Sequence, residues 1–380
     1  MAKEFELALG GGRRLRVYDT APGDTGRLPV LWHHGTPNIG SPPEPLFDTA
    51  DRLGLRWVSY DRPGYGGSTA APGRNLALSA AWARHVADAL GLERFAVMGH
   101  SGGGSHALAS AALLGTRVLA AISIAGLAPR DPSAPTGPPT PSAATDRPQT
   151  PSPSATADRL QAPLASAATD RTEASARSAT GDRLQAPAPS ATADRLQTSA
   201  SSAATAGRSG APAQRDTDRL TGRSGVAGGG GFDWFAGMTP TGEAALRAAC
   251  EGRAARERHE ATAEYDPEMF TPEDHAALRG EWSWFDSVVG PAVSGGPGGA
   301  IDDDVAYATP WGCDPAVVTA PILLVHGDRD RVVPHAHGRW LADRCPTAEL
   351  RLLPGEGHIS VLGAGGPSAL EWLAEAAGRP

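Results

Sequence analysis

Residues 95–114 read FAVMGHSGGGSHALASAALL and combine three local signals. Phe95–Met98 is a short apolar run that predicts a buried strand, and Gly103–Leu114 predicts a helix. Between them lies a G-x-S-x-G pattern, whose small residues permit a strained turn that lifts the Ser101 hydroxyl clear of the sheet. The free N–H groups at the start of the helix favour negative charge beside that serine. The pattern also occurs in tight glycine-rich turns, but its place between a strand and a helix favours a reactive serine.

Residues 1–130 and about 311–380 alternate short apolar runs with helical patterns, as in α/β proteins. Runs such as FAVM, AISIA and ILLV are unbroken, which is typical of parallel strands buried on both faces. We predict an α/β fold with a mostly parallel eight-stranded sheet and helices on both faces. The predicted strands are Glu4–Leu9, Leu15–Thr20, Pro29–His33, Leu55–Tyr60, Phe95–Gly99, Leu119–Ala125, Ile322–His326 and Glu349–Leu353. The predicted helices are Leu76–Leu90, Gly103–Leu114, His337–Arg344 and Ser368–Ala377.

Residues 131–228 have a different composition: they hold 12 of the 34 prolines and no aromatic residue. A twelve-residue repeat of the type SAATDR or SATADR begins at Ser142, Ser154, Ser166, Ser178 and Ser190. Ala, Ser, Thr and Pro with balanced Asp and Arg bury too little apolar surface to offset the entropy of ordering. We therefore predict a disordered insert without chemistry; a docking tail or a spacer is the alternative.

Residues 229–310 form a third zone, with nine of the 21 aromatic residues within 232–310. Thr271-Pro272-Glu273-Asp274 predicts a helix start, with a Thr cap, Pro at the first position and acids in the first turn. Glu243–Glu264 is rich in Ala, Arg and Glu and predicts a further helix. This zone is expected to be a helical cap inserted between two parts of one sheet.

Composition excludes several classes of protein. The formal net charge of −8 leaves no basic footprint for nucleic acid. Three widely spaced cysteines without a CxxC pair predict neither a disulfide framework nor a zinc site and suit a reducing cytoplasm. No apolar run approaches the roughly 18 residues of a membrane helix. We expect a soluble cytoplasmic protein without a membrane span.

Candidate acid and base residues follow the last two predicted strands. Asp328 and Asp330 lie in HGDRDRVVP (326–334), at the strand edge where open α/β sheets place their sites. Asp328 comes immediately after the strand turn and suits capping or bracing that turn. His358 follows the final strand, and histidine titrates near neutrality. His335 and His337, which flank the acid loop, are the alternatives to His358, but only His358 comes after a further helix and strand.

The chain resembles the α/β-hydrolase superfamily, specifically its small cofactor-free members with an HG-x-P loop and a helical cap. The resemblance is carried by GHSGG at 99–103, HGTP at 34–37 after the third strand, and DRPGYGGS at 61–68 after the fourth. The order Ser101, Asp330, His358 is also that of the superfamily. The resemblance covers roughly residues 1–130 and 232–380.

The resemblance implies a mechanism. The acid of its G-x-x-D-x-x-V-P pattern falls on Asp330, and residues 124–128, where some relatives carry the acid, contain none. Ser101 would be the nucleophile, His358 the base and Asp330 the residue that orients it, with the amides of Thr36 and Gly102 stabilising the oxyanion. No metal or organic cofactor is implied. The partner would be a small-molecule substrate, and the aromatic cap favours a hydrophobic ester or a similar acyl compound.

Other activities on the same fold are the alternatives. Proline iminopeptidases usually show H-G-G-P-G and G-x-S-W-G, whereas this chain has HGTPN at 34–38 and Gly102 at the Trp position. Haloperoxidase-like perhydrolysis would use the same three residues, and a ligand receptor would keep the fold without catalysis. Haloalkane dehalogenases and epoxide hydrolases use an Asp nucleophile, which Ser101 argues against. No motif specifies the substrate or the oligomeric state.

Overall fold

The computed structural model describes residues 2–131 and 232–378. The insert predicted over 131–228 lies outside the described residues except for residue 131. Eight strands form one sheet in the order β1-β2-β4-β3-β5-β6-β7-β8. They are β1 (Lys3–Gly10), β2 (Arg13–Asp19), β3 (Leu28–His33), β4 (Leu55–Tyr60), β5 (Phe95–His100), β6 (Val118–Ile124), β7 (Ile322–Gly327) and β8 (Ala348–Leu353).

The sheet is parallel from β4 to β8 and antiparallel at one edge. Strand β2 pairs antiparallel with both β1 and β4, and the remaining pairs are all parallel. The predicted mostly parallel eight-stranded sheet is therefore confirmed. Every strand lies within two residues of its predicted bounds. For β5, β6 and β7 the reason is a nearly unbroken apolar run, which is a strong signal for a buried strand.

Ten α-helices are found in the described residues, and none of them is both long enough and apolar enough to cross a membrane. They are α1 (Phe47–Arg52), α2 (Leu76–Ala89), α3 (Gly102–Leu114), α4 (Pro240–Cys250), α5 (Arg253–Glu260), α6 (Pro272–Arg279), α7 (Phe285–Val293), α8 (Gly298–Ala308), α9 (Ala336–Arg344) and α10 (Ser360–Ala376). Helices α4–α8 form the inserted helical segment, which interrupts the chain between β6 and β7.

Both faces of the sheet are covered by helices. Along β5, Phe95 and Val97 pack into a core with α2, α3 and α9, whereas Ala96 and Met98 pack into a second core with α1 and α10. All six residues of β5 are buried. Because successive side chains of a strand point to opposite faces, this alternation requires two apolar layers.

Two helix predictions were wrong in their bounds. The predicted helix Glu243–Glu264 is two helices, α4 and α5, because Gly252 between them has a φ of 101° and breaks the helical path. The last helix begins at Ser360, eight residues before its predicted start, and contains Pro367. Its early start has a tertiary cause: Asp274 of α6 accepts the N–H groups of Ile359 and Ser360. The start of α6 itself is confirmed, as a capping box between Thr271 and Asp274.

Helix α3 approaches the ends of β3 and β5 so closely that no side chain fits between them. A Cβ atom at Gly103 would lie 2.0 Å from the His33 carbonyl oxygen and 2.5 Å from that of His34. A Cβ atom at Gly99 would lie 2.1 Å from the Gly103 carbonyl oxygen. The obstacles are backbone atoms, so they cannot turn aside as a flexible side chain could. Glycine is therefore a packing requirement at both positions.

We predict that Gly103→Ala lowers the free energy of unfolding by about 3 kcal/mol, because the added methyl group must displace the backbone of His33 and His34 from α3. Gly298→Ala, in the first turn of α8, is the control: its Cβ atom would meet only the Arg253 side chain, at 3.6 Å. The control should change stability by less than about 0.5 kcal/mol. Urea unfolding of the two variants measures this, and equal stabilities would contradict the packing argument.

Candidate active site

Ser101 occupies the sharp turn between β5 and α3. Its φ of 57° and ψ of −132° lie in a region that side-chain-bearing residues rarely adopt. The turn is held by the Ser101 N–H, which donates to the Ile124 carbonyl oxygen at 2.8 Å, and by the Gly104 N–H, which donates to the Ser101 carbonyl oxygen at 2.9 Å. A strained backbone of this kind persists only where the surrounding structure determines it and is a reason to suspect function.

Asp330 and His358 are in direct contact. Asp330 Oδ2 lies 2.7 Å from His358 Nδ1, and both side chains are buried. The other carboxylate oxygen, Oδ1, accepts the N–H groups of Val332 and Val333 at 2.9 Å each. The acid loop after β7 therefore anchors the carboxylate with its own backbone. Because a carboxylate only accepts, His358 Nδ1 carries the proton and Nε2 is the basic nitrogen.

The alternative acid and bases make other contacts. Asp328 is exposed, and its Oδ1 accepts the Gly355 N–H at 2.8 Å, so it braces the turn as the sequence suggested. Buried His337 accepts the Ala128 N–H at its Nδ1 and packs against the ring of Trp234. Neither His335 nor His337 forms a hydrogen bond with Asp330.

The charge of His358 is set by opposing effects. Burial lowers its pKa, but the carboxylates of Asp330 and Asp274 outweigh burial and raise the pKa above the usual 6.5. His326 also faces Asp330, with its Nε2 3.6 Å from the carboxylate, but that nitrogen donates to the Val333 carbonyl oxygen at 2.7 Å. Burial lowers the pKa of His326, so it remains neutral.

His358 lies beside the strand end that carries Ser101. His100, the residue before Ser101, donates from Nε2 to the His358 carbonyl oxygen at 2.8 Å, and the two ring centroids are 4.8 Å apart. The Ser101 hydroxyl and the His358 ring, both within the described residues, do not form a hydrogen bond. Such contacts are often long in free enzymes and shorten when substrate is bound.

The loop His33–Pro37 lies over the start of α3 and is named the oxyanion loop after the role that the sequence predicts for Thr36. The Thr36 hydroxyl donates to Asp303 at 2.7 Å and lies 2.9 Å from the Tyr307 hydroxyl. Gly102 is the first residue of α3, where a helix has no internal acceptor for its N–H groups. Neither the Thr36 N–H nor the Gly102 N–H donates to any acceptor within residues 2–131 and 232–378.

Two buried carboxylates of the inserted helical segment reach this site, and no motif indicated either role. Asp274 accepts the N–H groups of His358, Ile359 and Ser360 at 2.7–3.1 Å, and so holds the loop that carries His358. Asp303 binds the Thr36 hydroxyl. The sequence marked Asp274 only as a first-turn acid, because its other partners lie 84 to 86 residues away.

No group of three or more His, Cys, Asp and Glu side chains in the described part of the chain could hold a metal ion. The charged groups around Ser101 instead pair with one another. Asp330 binds His358, and Asp303 binds Arg62 and Arg74.

The chain is similar to known proteins of the α/β hydrolase fold. A family model described as alpha/beta hydrolase fold matches residues 29–364. An esterase from Thermogutta terrifontis is 17% identical, with 99% of each chain covered and a TM-score of 0.54. A bromoperoxidase from Bacillus anthracis (16%) and an enol-lactonase from Burkholderia xenovorans LB400 (13%) each have a TM-score of 0.54, with 98% of this chain and 100% of theirs covered. At these identities the likeness is one of fold. No curated protein sequence matches the chain.

We predict that Asp274→Asn lowers the free energy of unfolding by about 2 kcal/mol, because an amide cannot accept four N–H groups as a carboxylate does. Burial raises the pKa of Asp274, but those N–H groups outweigh burial and lower it below the usual 3.8. A carboxyl group whose pKa is lower in the folded than in the unfolded protein stabilises the fold at pH values above its unfolded-state pKa. This stabilisation is lost as the pH falls through the folded-state pKa. The difference between wild type and variant in urea unfolding should therefore shrink below about pH 4.

Asp314→Asn is the matched control, since exposed Asp314 accepts the single N–H of Ala316 at 2.9 Å. It should change stability by less than about 0.5 kcal/mol. An Asp274→Asn protein as stable as this control would show that Asp274 does not hold the His358 loop.

Proposed function

The chain belongs to the α/β hydrolase fold family, and we propose that it is a serine hydrolase that cleaves an ester or similar acyl bond through an acyl-enzyme on Ser101. The observation that carries the proposal is the strained backbone of Ser101 at the junction of β5 and α3. The 2.7 Å contact between Asp330 and His358 at the same edge of the sheet supports it. Nucleophile, base and orienting acid are the three parts that such catalysis needs.

In the first step, His358 Nε2 takes the proton of the Ser101 hydroxyl as its oxygen attacks the acyl carbonyl carbon. Asp330 stabilises the imidazolium that forms and keeps the proton of Nδ1 in place. Negative charge develops on the carbonyl oxygen, where the N–H groups of Thr36 and Gly102 would bind it. The positive end of the α3 dipole favours the same charge.

In the second step, the tetrahedral intermediate collapses, and the imidazolium gives its proton to the departing alcohol. Water then enters, His358 takes one of its protons, and the hydroxide attacks the acyl carbon. Breakdown of the second intermediate returns the proton to Ser101 and releases the carboxylic acid. These steps use side chains, backbone N–H groups and water.

The substrate is proposed to be small, neutral and hydrophobic. The inserted helical segment brings an aromatic cluster of Trp282, Trp284 and Phe285, whose ring centroids are 5.1 to 6.1 Å apart. Phe285 also packs against His100, at 6.0 Å between ring centroids, and so reaches the neighbour of Ser101. The buried charges near Ser101 are paired within the protein, which disfavours a substrate with a charged acyl group.

We predict that a fluorophosphonate probe labels wild-type protein at one residue and that Ser101→Ala abolishes labelling. The variant should hydrolyse p-nitrophenyl esters at least about 10⁴-fold more slowly, because it has no nucleophile. Ser105→Ala, four residues along the same helix, is the control and should keep both properties; the Ser105 hydroxyl donates to the Leu127 carbonyl oxygen.

A panel of p-nitrophenyl esters of increasing acyl length then measures chain-length preference. Absence of labelling in the wild type would overturn the catalytic proposal and favour a ligand receptor. Labelling with negligible rates on every ester would instead redirect the search to amides, lactones or C–C bonds.

We predict that kcat/KM falls on the acid side with an apparent pKa above 6.5, because His358 must be neutral to act as base and its pKa is raised. Asp330→Asn removes a carboxylate that favours the imidazolium, so the acid limb should move to lower pH. The rate should also fall by about 10⁴-fold. Asp328→Asn is the control and should keep both the rate and the limb. If the acid limb of the pH profile moves in Asp328→Asn instead, Asp328 would be the acid that orients His358.

A further inference from the structure

We propose that Arg62 and Asp303 are positioning residues for the Gly35–Thr36 peptide group. They hold this peptide so that its N–H points away from Arg62, in the fixed orientation that an oxyanion donor requires. The inference rests on the proposed acyl-transfer function, in which the Thr36 N–H binds the developing negative charge. It gives α8 of the inserted helical segment a direct part in supporting the site.

Arg62 binds the backbone of the oxyanion loop at consecutive residues. It is fully buried after β4, and its Nη1 donates to the His34 carbonyl oxygen. Its Nη2 donates to the Gly35 carbonyl oxygen at 3.0 Å. The Arg62 N–H donates to His34 Nε2 at 3.0 Å, so His34 Nδ1 carries the ring proton and also donates to the Gly35 carbonyl oxygen, at 2.8 Å. The Gly35 carbonyl thus accepts two hydrogen bonds, one of them from a cation.

The Gly35 carbonyl and the Thr36 N–H belong to the same peptide group. That group is planar and trans, so its C=O and N–H point in opposite directions. A guanidinium that holds the C=O therefore directs the N–H to the other side of the loop. The charge-assisted bond also polarises the peptide and makes the N–H a stronger donor. Preorganised donors of this kind need no rearrangement when charge develops.

Asp303 makes the burial of Arg62 tolerable. Its Oδ2 accepts from Arg62 Nη2 at 2.6 Å, and its Oδ1 accepts from Arg74 Nη2 at 2.6 Å. Burial raises the pKa of Asp303, but the two guanidinium groups outweigh burial and hold it well below the usual 3.8. The carboxylate is therefore ionised. An Arg62 without this partner would be a buried, uncompensated charge.

Asp303 also binds the Thr36 side chain. The Thr36 hydroxyl has one hydrogen, which it donates to Asp303 Oδ2 at 2.7 Å. Its oxygen can then only accept, and it accepts from the Tyr307 hydroxyl at 2.9 Å. Arg62 Nη2 lies 3.2 Å from the same oxygen and can share with it one of the two hydrogens that it directs to Gly35 and Asp303. Tyr307 lies on α8 one turn after Asp303, and a Cβ atom at Gly102 would lie 2.0 Å from its hydroxyl oxygen. One helix therefore contacts both residues whose amides are the proposed donors.

The test uses variants of Thr36 that keep its N–H. Thr36→Val preserves the shape of the side chain and removes the hydroxyl, so the loop loses its bond to Asp303. We expect kcat for p-nitrophenyl butyrate to fall about ten-fold with KM changed less than about two-fold, and Thr36→Ser to restore most of the rate. Tyr65→Phe is the matched control, because the Tyr65 hydroxyl donates to the same Asp303 oxygen at 2.8 Å without touching Thr36. Its kcat should stay within about two-fold of wild type.

A second measurement reads the oxyanion directly. A trifluoromethyl ketone forms a tetrahedral oxyanion with the active serine, and its affinity should fall in Thr36→Val by the same factor as kcat/KM. The acid limb of the pH profile, which reports His358, should not move. Asp303→Asn should show a larger loss of both quantities, about 10²-fold. If that variant does not fold, the Thr36 series decides alone.

The outcomes separate the two proposals. Thr36→Val with wild-type kcat and ketone affinity would overturn the positioning role, as would an equal loss in Tyr65→Phe. A loss that Thr36→Ser does not restore would overturn it as well. If wild-type protein does not react with the fluorophosphonate at Ser101, the acyl-transfer proposal itself fails, and the role of Arg62 and Asp303 in it fails with it.

Discussion

The structure depends on the contact between the start of α3 and the ends of β3 and β5, where backbone meets backbone. Gly99 and Gly103 leave no room for a side chain, so the helix begins directly against the carbonyl groups of His33 and His34. This closeness forces Ser101 into its strained conformation. It also places the Gly102 N–H, which has no acceptor within the described residues, beside the oxyanion loop. A wider spacing would relax the serine and separate the proposed donors.

The inserted helical segment supports this arrangement through two buried carboxylates. Asp274 binds the N–H groups at the start of α10 and holds the His358 loop, while Asp303 binds Arg62 and the Thr36 hydroxyl. Each carboxylate is buried with several donors, which is the condition under which a buried charge is tolerated. The segment is therefore joined to the sheet by charge as well as by apolar packing. The proposed base and one proposed oxyanion donor are each held by it.

Local patterns were sufficient for the sheet, whereas the choice of Ser101, Asp330 and His358 as site residues stays a prediction. Nearly unbroken apolar runs located the central strands β5, β6 and β7, since strands buried on both faces need apolar side chains at most positions. The edge strands β1 and β8 mix polar and apolar residues and are partly exposed. The predicted Asp330 and His358 are in contact, and Asp328 braces its turn as its position after β7 suggested. Helix bounds were predicted less well. The start of α10 depends on Asp274, and nothing near residue 360 in the sequence reveals that a carboxylate will bind the free N–H groups there.

The sequence by itself determined the α/β fold, the strand positions and the strand–turn–helix setting of Ser101, because these follow from hydrophobic periodicity and from glycine at fixed offsets. Only the tertiary structure decided which carboxylates support the site. Asp274 and Asp303 are separated from the site residues that they bind by 84 and more residues, and the adjacent Asp302 and Asp304 are the same residue type. What distinguishes Asp303 is its place at the meeting point of Arg62, Arg74 and Thr36, and that point exists only once the chain has folded.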